Sequence, residues 1–455
     1  MAKAKKKEST LTLEEKLAQA LVPESEQPYK VPKNWCWVRL GVLGYTNIGL
    51  TYKPSDVSEQ GIIVLRSVNI QNGAMYYDDV VKVDLNISKE KMSQKGDILI
   101  CARNGSKSLV GKSAIIDRDG MSYGAFMAIF RSEYNKYIYY FLNSIYFRNI
   151  IDRNVGTTTI NQVTQQLIKE LEFPLAPLSE QQRIVERIES LFAKLDEAKE
   201  KLQAVLDSFE TRKAAIMHKA FTGELTAKWR KENGISLDSW EKKKLGDITD
   251  IVSSKRIYKE EYVEKGIPFF RSSEVVELND KGFTEPKYFV SENRYDEIKE
   301  KYGVPEKGDM LVTSVGTIGK TWIVDDRDFY YKDGNLTQIK QCTTLDMRFL
   351  QLFIKSEGFN EQIIDSVSGS AYNALTIVKF KKIFLNLPCI TEQKEIVRIV
   401  NAVLKREQNI RNIVGENLER VEFIKKAIVA RAFRGELGTN DENDECAVEL
   451  LKRVL

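Results

Sequence analysis

Ser179-Glu-Gln-Gln-Arg-Ile-Val-Glu-Arg-Ile-Glu-Ser-Leu-Phe-Ala-Lys-Leu-Asp-Glu-Ala198 decides how the whole 455-residue chain is read. Its apolar residues fall at Ile184, Ile188, Leu191, Leu195 and Ala198, then continue at Leu202, Val205 and Phe209, in alternating steps of four and three. That is the a/d seam of a coiled coil, whose narrow apolar stripe needs a second helix to cover it. The opening returns 212 residues later as Thr391-Glu-Gln, and a second seam follows through Ile396, Val400, Val403, Ile410, Val414, Val421, Ile424 and Ile428, interrupted by Glu407 and Asn417. Ser179 and Thr391, each shortly after a proline (Pro177, Pro388), fit N-caps, while Gly223 and Gly435 fit C-terminal ends. Each helix then runs about 40 residues, or ~60 Å at 1.5 Å per residue. Ile188, Leu191, Leu195 and Leu202 on the first helix and Val400, Val403, Ile410 and Val414 on the second are expected to bear the helix pairing.

Outward from these helices the chain is a tandem duplication. Trp35-Cys-Trp-Val-Arg-Leu-Gly41 and Trp240-Glu-Lys-Lys-Lys-Leu-Gly246 are offset by 205 residues, as are Leu65-Arg66-Ser67 and Phe270-Arg271-Ser272. From Lys95-Gly-Asp-Ile-Leu-Ile and Lys307-Gly-Asp-Met-Leu-Val the offset is 212, and it holds to Ala220-Phe-Thr-Gly-Glu-Leu and Ala432-Phe-Arg-Gly-Glu-Leu. Each half is a globular part followed by a long helix. The globular parts mix short strands (Ile62–Leu65, Asp97–Cys101, Ser113–Ile116; Pro268–Phe270, Asp309–Thr313, Thr321–Val324) with amphipathic stretches at Tyr137–Phe147 and Arg348–Phe359, which predicts an α/β or α+β fold with a mostly antiparallel sheet. The expected architecture is two similar globular domains separated by two long helices that pair as an antiparallel coiled coil about a pseudo-twofold axis. Its divisions are an N-terminal arm (1–34), a first globular domain (35–178), a first long helix (179–230), a second globular domain (231–390), a second long helix (391–437) and a tail (438–455).

Composition excludes several classes of function. With 42% hydrophobic and 29% charged residues the chain is of ordinary globular type, its apolar runs are far short of a membrane span, and its lysine-rich start has no apolar stretch of the secretory kind. A cytoplasmic protein without a membrane partner is expected. Cys36, Cys101, Cys342, Cys389 and Cys446 are scattered and read as reduced thiols. A single histidine, His218, leaves no room for a histidine-rich metal site or a Ser-His-Asp apparatus. Net charge is only +4, so local patches must argue for any nucleic-acid partner.

Two loops carry those patches. Cys101-Ala-Arg-Asn-Gly-Ser-Lys-Ser-Leu-Val-Gly-Lys-Ser113 and Thr313-Ser-Val-Gly-Thr-Ile-Gly-Lys-Thr321 both end in Gly-Lys-Ser/Thr, which raises a phosphate-binding P-loop and an NTPase. The spacing fails, with five residues between Gly105 and Gly111 and two between Gly316 and Gly319, and an apolar strand follows instead of a helix. Such turns suit DNA better: lysines and amides take phosphates, Arg and Asn pair with base edges. Candidate contacts are Arg103, Asn104, Lys107 and Lys112 in one loop and Ser314, Thr317 and Lys320 in the other; an ordinary hairpin with solvated lysines is the alternative. Arg66 and Arg271, closing matching strands, could reach a guanine or form an ion pair within the domain. Thr158, Asn161, Tyr372 and Asn373 lie in polar loops before the long helices, with donors for phosphate or adenine, and Lys3, Lys5, Lys6 and Lys7 could follow phosphates. No motif for methyl transfer or for nuclease chemistry is present, so partners would bring any chemistry on DNA.

The tandem Trp…Leu-Gly units, the Lys-Gly-Asp strand turns, the Ser/Thr-Glu-Gln helix start and the Ala-Phe-x-Gly-Glu-Leu end resemble the specificity subunit of type I restriction-modification enzymes, from about Trp35 to Leu437. The resemblance implies that each globular domain is a target recognition domain for one half of an asymmetric, bipartite DNA sequence. It implies helices that act as a spacer and dock two methyltransferase subunits. Those would methylate adenine with S-adenosylmethionine, and ATP- and Mg-dependent restriction-translocase subunits would join them, while this chain binds no cofactor and catalyses nothing. A purely structural coiled-coil adaptor is the remaining alternative.

Overall fold

A computed structural model describes residues 11–154, 162–367 and 374–455. Its contacts divide the chain into unit 1, residues 1–202 with 416–455, and unit 2, residues 203–415. The division falls inside both long helices, which run Leu178–Thr222 and Ile390–Ala432.

In unit 1, beside a short hairpin of Ile70–Gln71 with Ala74–Met75, the strands are β1 (Cys36–Arg39), β2 (Tyr45–Ile48), β3 (Val57–Leu65), β4 (Val81–Val83), β5 (Ile98–Cys101), β6 (Ser113–Ile115), β7 (Ser122–Tyr123), β8 (Met127–Arg131) and β9 (Glu172–Leu175). A four-stranded antiparallel sheet has the order β2-β8-β5-β6, a second has β4-β3-β7 with β3 and β7 parallel, and β1 pairs with β9. All four residues of β5 are buried, as expected of the central apolar run. The Lys-Gly-Asp turn before β5 explains its own recurrence. Gly96 adopts φ +94°, and the buried Asp97 accepts from its own turn at Gln94 N (2.8 Å) and from Arg131 Nε (2.7 Å) and Nη2 (2.6 Å) on β8.

Unit 2 repeats the plan with β10 (Glu241–Lys244), β11 (Ile251–Val252), β12 (Tyr262–Val263), β13 (Ile267–Phe270), β14 (Phe289–Val290), β15 (Met310–Thr313), β16 (Thr321–Ile323), β17 (Tyr330–Tyr331), β18 (Leu336–Ile339) and β19 (Phe384–Leu387). Its sheets run β11-β18-β15-β16 and β12-β14-β13-β17, with β10 on β19. Gly308 repeats φ +94°, and Asp309 again ties its turn to the neighbouring strand, accepting from Glu306 N at 2.9 Å and Gln338 Nε2 at 2.6 Å. Each amphipathic stretch is two helices, Asn135–Leu142 with Ile145–Asn154 and Met347–Ile354 with Glu357–Val367.

The long helices pair antiparallel within each unit. In unit 1 Lys199 meets Glu422 at 2.7 Å and Asp196 meets Lys425 at 2.5 Å; in unit 2 Glu210 meets Arg411 at 2.8 Å. Ile188, Val400 and Val414 are buried; Leu191, Leu195, Leu202 and Val403 are half-buried. Ile410 is a correction to the expected seam: it is 40% exposed, and Ile424 likewise faces outward. The seam instead steps from Val403 to Glu407 and Arg411, because a straight helix drifts against a strict 3.5-residue repeat. The fully buried Phe209 is clasped there by the guanidinium groups of Arg411 (4.5 Å) and Arg212 (4.6 Å), and Arg212 is held by Glu407 at 3.7 Å. On the first helix Leu206 is covered and Val205 is not.

Ser179 and Thr391 are not N-caps, since the helices already begin at Leu178 and Ile390. The Ser/Thr-Glu-Gln motif works through its second and third residues. Gln181 and Gln393 donate back to the carbonyls of Ala176 (2.9 Å) and Pro388 (2.8 Å). Glu180, with no exposed surface, accepts from Trp35 Nε1 (2.6 Å), Asn440 Nδ2 (2.8 Å) and Thr439 Oγ1 (3.3 Å). Glu392, equally buried, accepts from Trp240 Nε1 (2.9 Å), Thr226 Oγ1 (2.6 Å) and Arg230 Nη1 (2.6 Å). The repeated Trp and the repeated Glu are thus two ends of one recurring bond, buried in unit 1 and part-buried in unit 2. Gly223 and Gly435 do end the helices in the left-handed region, at φ +84° and +73°.

Candidate nucleic-acid interface

In unit 1, β5 delivers the loop 101–113 to the rim of a concavity of about 960 Å³. Arg66, Arg103 and Asn104 converge on it, beside Tyr52, Ser67 and Phe126. Arg103 is exposed, its guanidinium 5.1 Å from the centre of the Phe126 ring, and among the described residues no carboxylate pairs with it. Phe126 is itself 58% exposed at the rim of this concavity. Asn104 is pre-set: its Nδ2 donates to Ser67 Oγ at 3.2 Å, and its Oδ1 accepts from Ser106 N at 2.9 Å. Arg66 pairs with Asp79 at 2.7 Å, leaving Nε buried without an acceptor.

The two lysines of that loop are engaged elsewhere. Lys107 Nζ donates to the Asp152 carbonyl and Lys112 Nζ to the Ile70 carbonyl, both at 3.0 Å, so they brace the loop against its own domain.

The corresponding residues of unit 2 make contacts within their own domain, Arg271 with Glu274 at 3.8 Å among them. Ser314 is 4% exposed with its hydroxyl 2.6 Å from Thr337 Oγ1, so it presents nothing to a duplex. The Thr317 carbonyl is taken by the Thr313 hydroxyl, Lys320 pairs with Asp280 at 2.7 Å, and Arg271 lies 4.2 Å from the Tyr288 ring. Exposed aromatics stand out in this unit instead: Tyr258 (61%), Phe283 (64%) and Tyr302 (59%), with Lys255 Nζ 5.2 Å from the Tyr302 ring. Sequence reasoning missed these and Phe126, although an aromatic just beyond Gly124-Ala or Lys281-Gly is a readable signal of a ring on a turn. Lys3, Lys5, Lys6, Lys7, Thr158, Asn161, Tyr372 and Asn373 lie outside the described residues.

The Gly-Lys-Ser/Thr endings are turns. Gly111 and Gly319 share φ +85°, and β6 and β16 follow them, so neither loop meets the helix N-terminus that a P-loop requires. No helix is long and apolar enough to cross a membrane, and no cluster able to hold a metal occurs among the described residues.

The family model for the type I restriction modification DNA specificity domain matches the chain twice, at residues 32–207 and 238–416. The chain belongs to that family. The two matched segments are the two copies of the duplication. As relatives, the specificity subunit of the EcoKI type I restriction enzyme of Escherichia coli K12 is 28% identical over 435 residues, and that of StySPI from Salmonella potsdam is 28% identical over 431. Each match covers 90% of both chains. The crystal structure of an HsdS subunit from Thermoanaerobacter tengcongensis shares the fold, with a TM-score of 0.62 at 19% identity over 90% of this chain and all of that one. Unit 1 therefore carries a concave surface with an exposed arginine that no carboxylate pairs among the described residues, a pre-set amide and an exposed ring.

Proposed function

We propose that this specificity subunit reads duplex DNA in two halves, each globular domain taking one. In the first domain Arg103 and Asn104 meet base edges while Phe126 packs on the groove wall; Arg66 contributes by exchanging Asp79 for a phosphate or a guanine. The observation that carries the reading is the exposed, unpaired Arg103 beside an exposed ring on a concave surface. The two long helices set the gap between the half-sites and dock two methyltransferase subunits. Those partners supply adenine methylation with S-adenosylmethionine, and restriction-translocase subunits bring ATP- and Mg-dependent cleavage; this chain supplies sequence choice alone.

Arg103→Ala tests the base contact. A bidentate contact is worth about 1–3 kcal/mol of discrimination, so cognate binding of the assembled complex is expected to weaken roughly 5- to 150-fold. Non-specific binding and the salt slope should hardly change. Lys107→Ala, whose ammonium braces the loop, is the comparison. Equal losses on cognate and random duplexes would reassign Arg103 to the phosphate backbone.

A further inference from the structure

The duplication allows each position filled in one unit to be compared with its counterpart in the other. In unit 1 the outer edge of β1 is covered by the chain's own N-terminal segment. Leu21 bridges Val38, and Val22 N donates to the Trp37 carbonyl at 2.9 Å. Trp37 Nε1 donates to the Tyr29 carbonyl at 3.2 Å. The Tyr29 ring sits 4.9 Å from Trp37 and 5.9 Å from Tyr146, with the Arg434 guanidinium 5.6 Å from its centre. Three residues ahead of it, Glu26 pairs with Arg39 at 2.6 Å.

Unit 2 has the same place and leaves it bare. The repeat sets Lys242 at the position of Trp37, Lys244 at Arg39, Gly358 at Tyr146 and Thr222 at Arg434, and strand pairing agrees: Trp37 faces Pro174 and Lys242 faces Asn386. Lys242, Gly358 and Thr222, the counterparts of all three groups around Tyr29, line one concavity of about 940 Å³ walled by Phe221, Phe353 and Phe384. All four residues of β10 are exposed, and among the described residues β10 pairs only with β19. An uncovered strand edge is a template for an added strand.

We infer that this concavity and the free edge of β10 take a segment of a partner protein, extended where it meets the strand and turning after it, that carries an aromatic side chain with a carboxylate three residues before it. Tyr29 and Glu26 show the pattern in the filled copy. Charge in the bare copy favours the same pattern: Lys242 and Lys244 lie 5.1 and 5.7 Å from the Phe384 ring. At the wall Lys213 and Lys355 are balanced by Glu210, Glu357 and Glu361, so the positive charge an incoming carboxylate would meet is that of Lys242 and Lys244 on the strand. This inference does not depend on which bases the domains read.

The probe is a fluorescent peptide of residues 20–32 of this chain, Ala-Leu-Val-Pro-Glu-Ser-Glu-Gln-Pro-Tyr-Lys-Val-Pro, titrated with the full-length protein. Saturable binding is expected, at least about tenfold weaker for the peptide with Tyr29→Ala. Gly358→Tyr in the protein, which supplies the ring that Tyr146 offers in the filled copy, should tighten it; a Cβ at Gly358 meets nothing within 4 Å, so the substitution fits the fold. Lys244→Glu should weaken binding, and a peptide with Glu26→Lys should restore it. Absence of binding, indifference to Tyr29→Ala or to Gly358→Tyr, or displacement by random duplex DNA would overturn the inference. Self-association of the protein that is lost with Tyr29→Ala would also overturn it, by making a second copy the occupant.

Discussion

Exchanging residues 35–178 for the matching domain of a relative with a different target is expected to change one half of the methylated sequence, leaving the other half and the gap intact. The expectation follows from how unit 1 is held together. Its sheets and their turns close on themselves: β1 on β9, β5 between β8 and β6, Asp97 on Arg131. What the domain shares with the helices is a set of apolar contacts, Ile184, Ile188, Val429 and Phe433 among them, and the bond from Trp35 Nε1 to Glu180; the helix residues stay in place in the exchange, and the incoming domain has to bring its own tryptophan. Specific and non-specific sites typically differ by 10³ or more in affinity, so a changed reading head should redirect modification completely. Sequencing of modified bases in cells carrying the chimaera reads the result. A chimaera that modifies the parental sequence, or one in which both halves change, would contradict the modular reading.

The second large effect concerns stability. Glu392→Gln is expected to cost roughly 3–5 kcal/mol, because Arg230, whose side chain is 7% exposed, would keep its charge inside the protein without a counter-charge. Gln offers one acceptor and one NH2 group, so it cannot serve both Trp240 and Arg230. Glu180→Gln should cost about 1–3 kcal/mol, since its partners Trp35, Asn440 and Thr439 are neutral and the threonine hydroxyl can turn to accept. Arg230→Met combined with Glu392→Gln should recover much of the loss. Chemical denaturation of the four proteins measures this; equal losses for Glu180→Gln and Glu392→Gln would show that the arginine is not what makes the second site costly.

The helices and the duplication were legible because their signals are periodic. A seam repeats every seven residues, and a copied motif keeps its offset across 200 positions. The places where the reading slipped depend on distant partners. Ser179 looks like a cap, but the chain turns helical one residue earlier and Gln181 closes the end. Ile410 obeys the heptad, yet the helix drifts and Arg411 takes its place over Phe209. Arg103 and Asn104 could be picked out because they follow a buried strand on a glycine-rich turn. Ser314 follows its strand in the same way, but Thr337, which occupies its hydroxyl, comes 23 residues later on β18. What the lysines touch was hidden for a related reason: a carbonyl such as that of Ile70 leaves no mark in the sequence.

Under the proposed function this chain chooses where DNA is modified. The direct measurement is a genome-wide map of methylated adenines in cells with the gene present, deleted and restored. A two-part sequence with a fixed gap should be modified when the chain is present, lost on deletion and regained on restoration. An identical map in all three would contradict it.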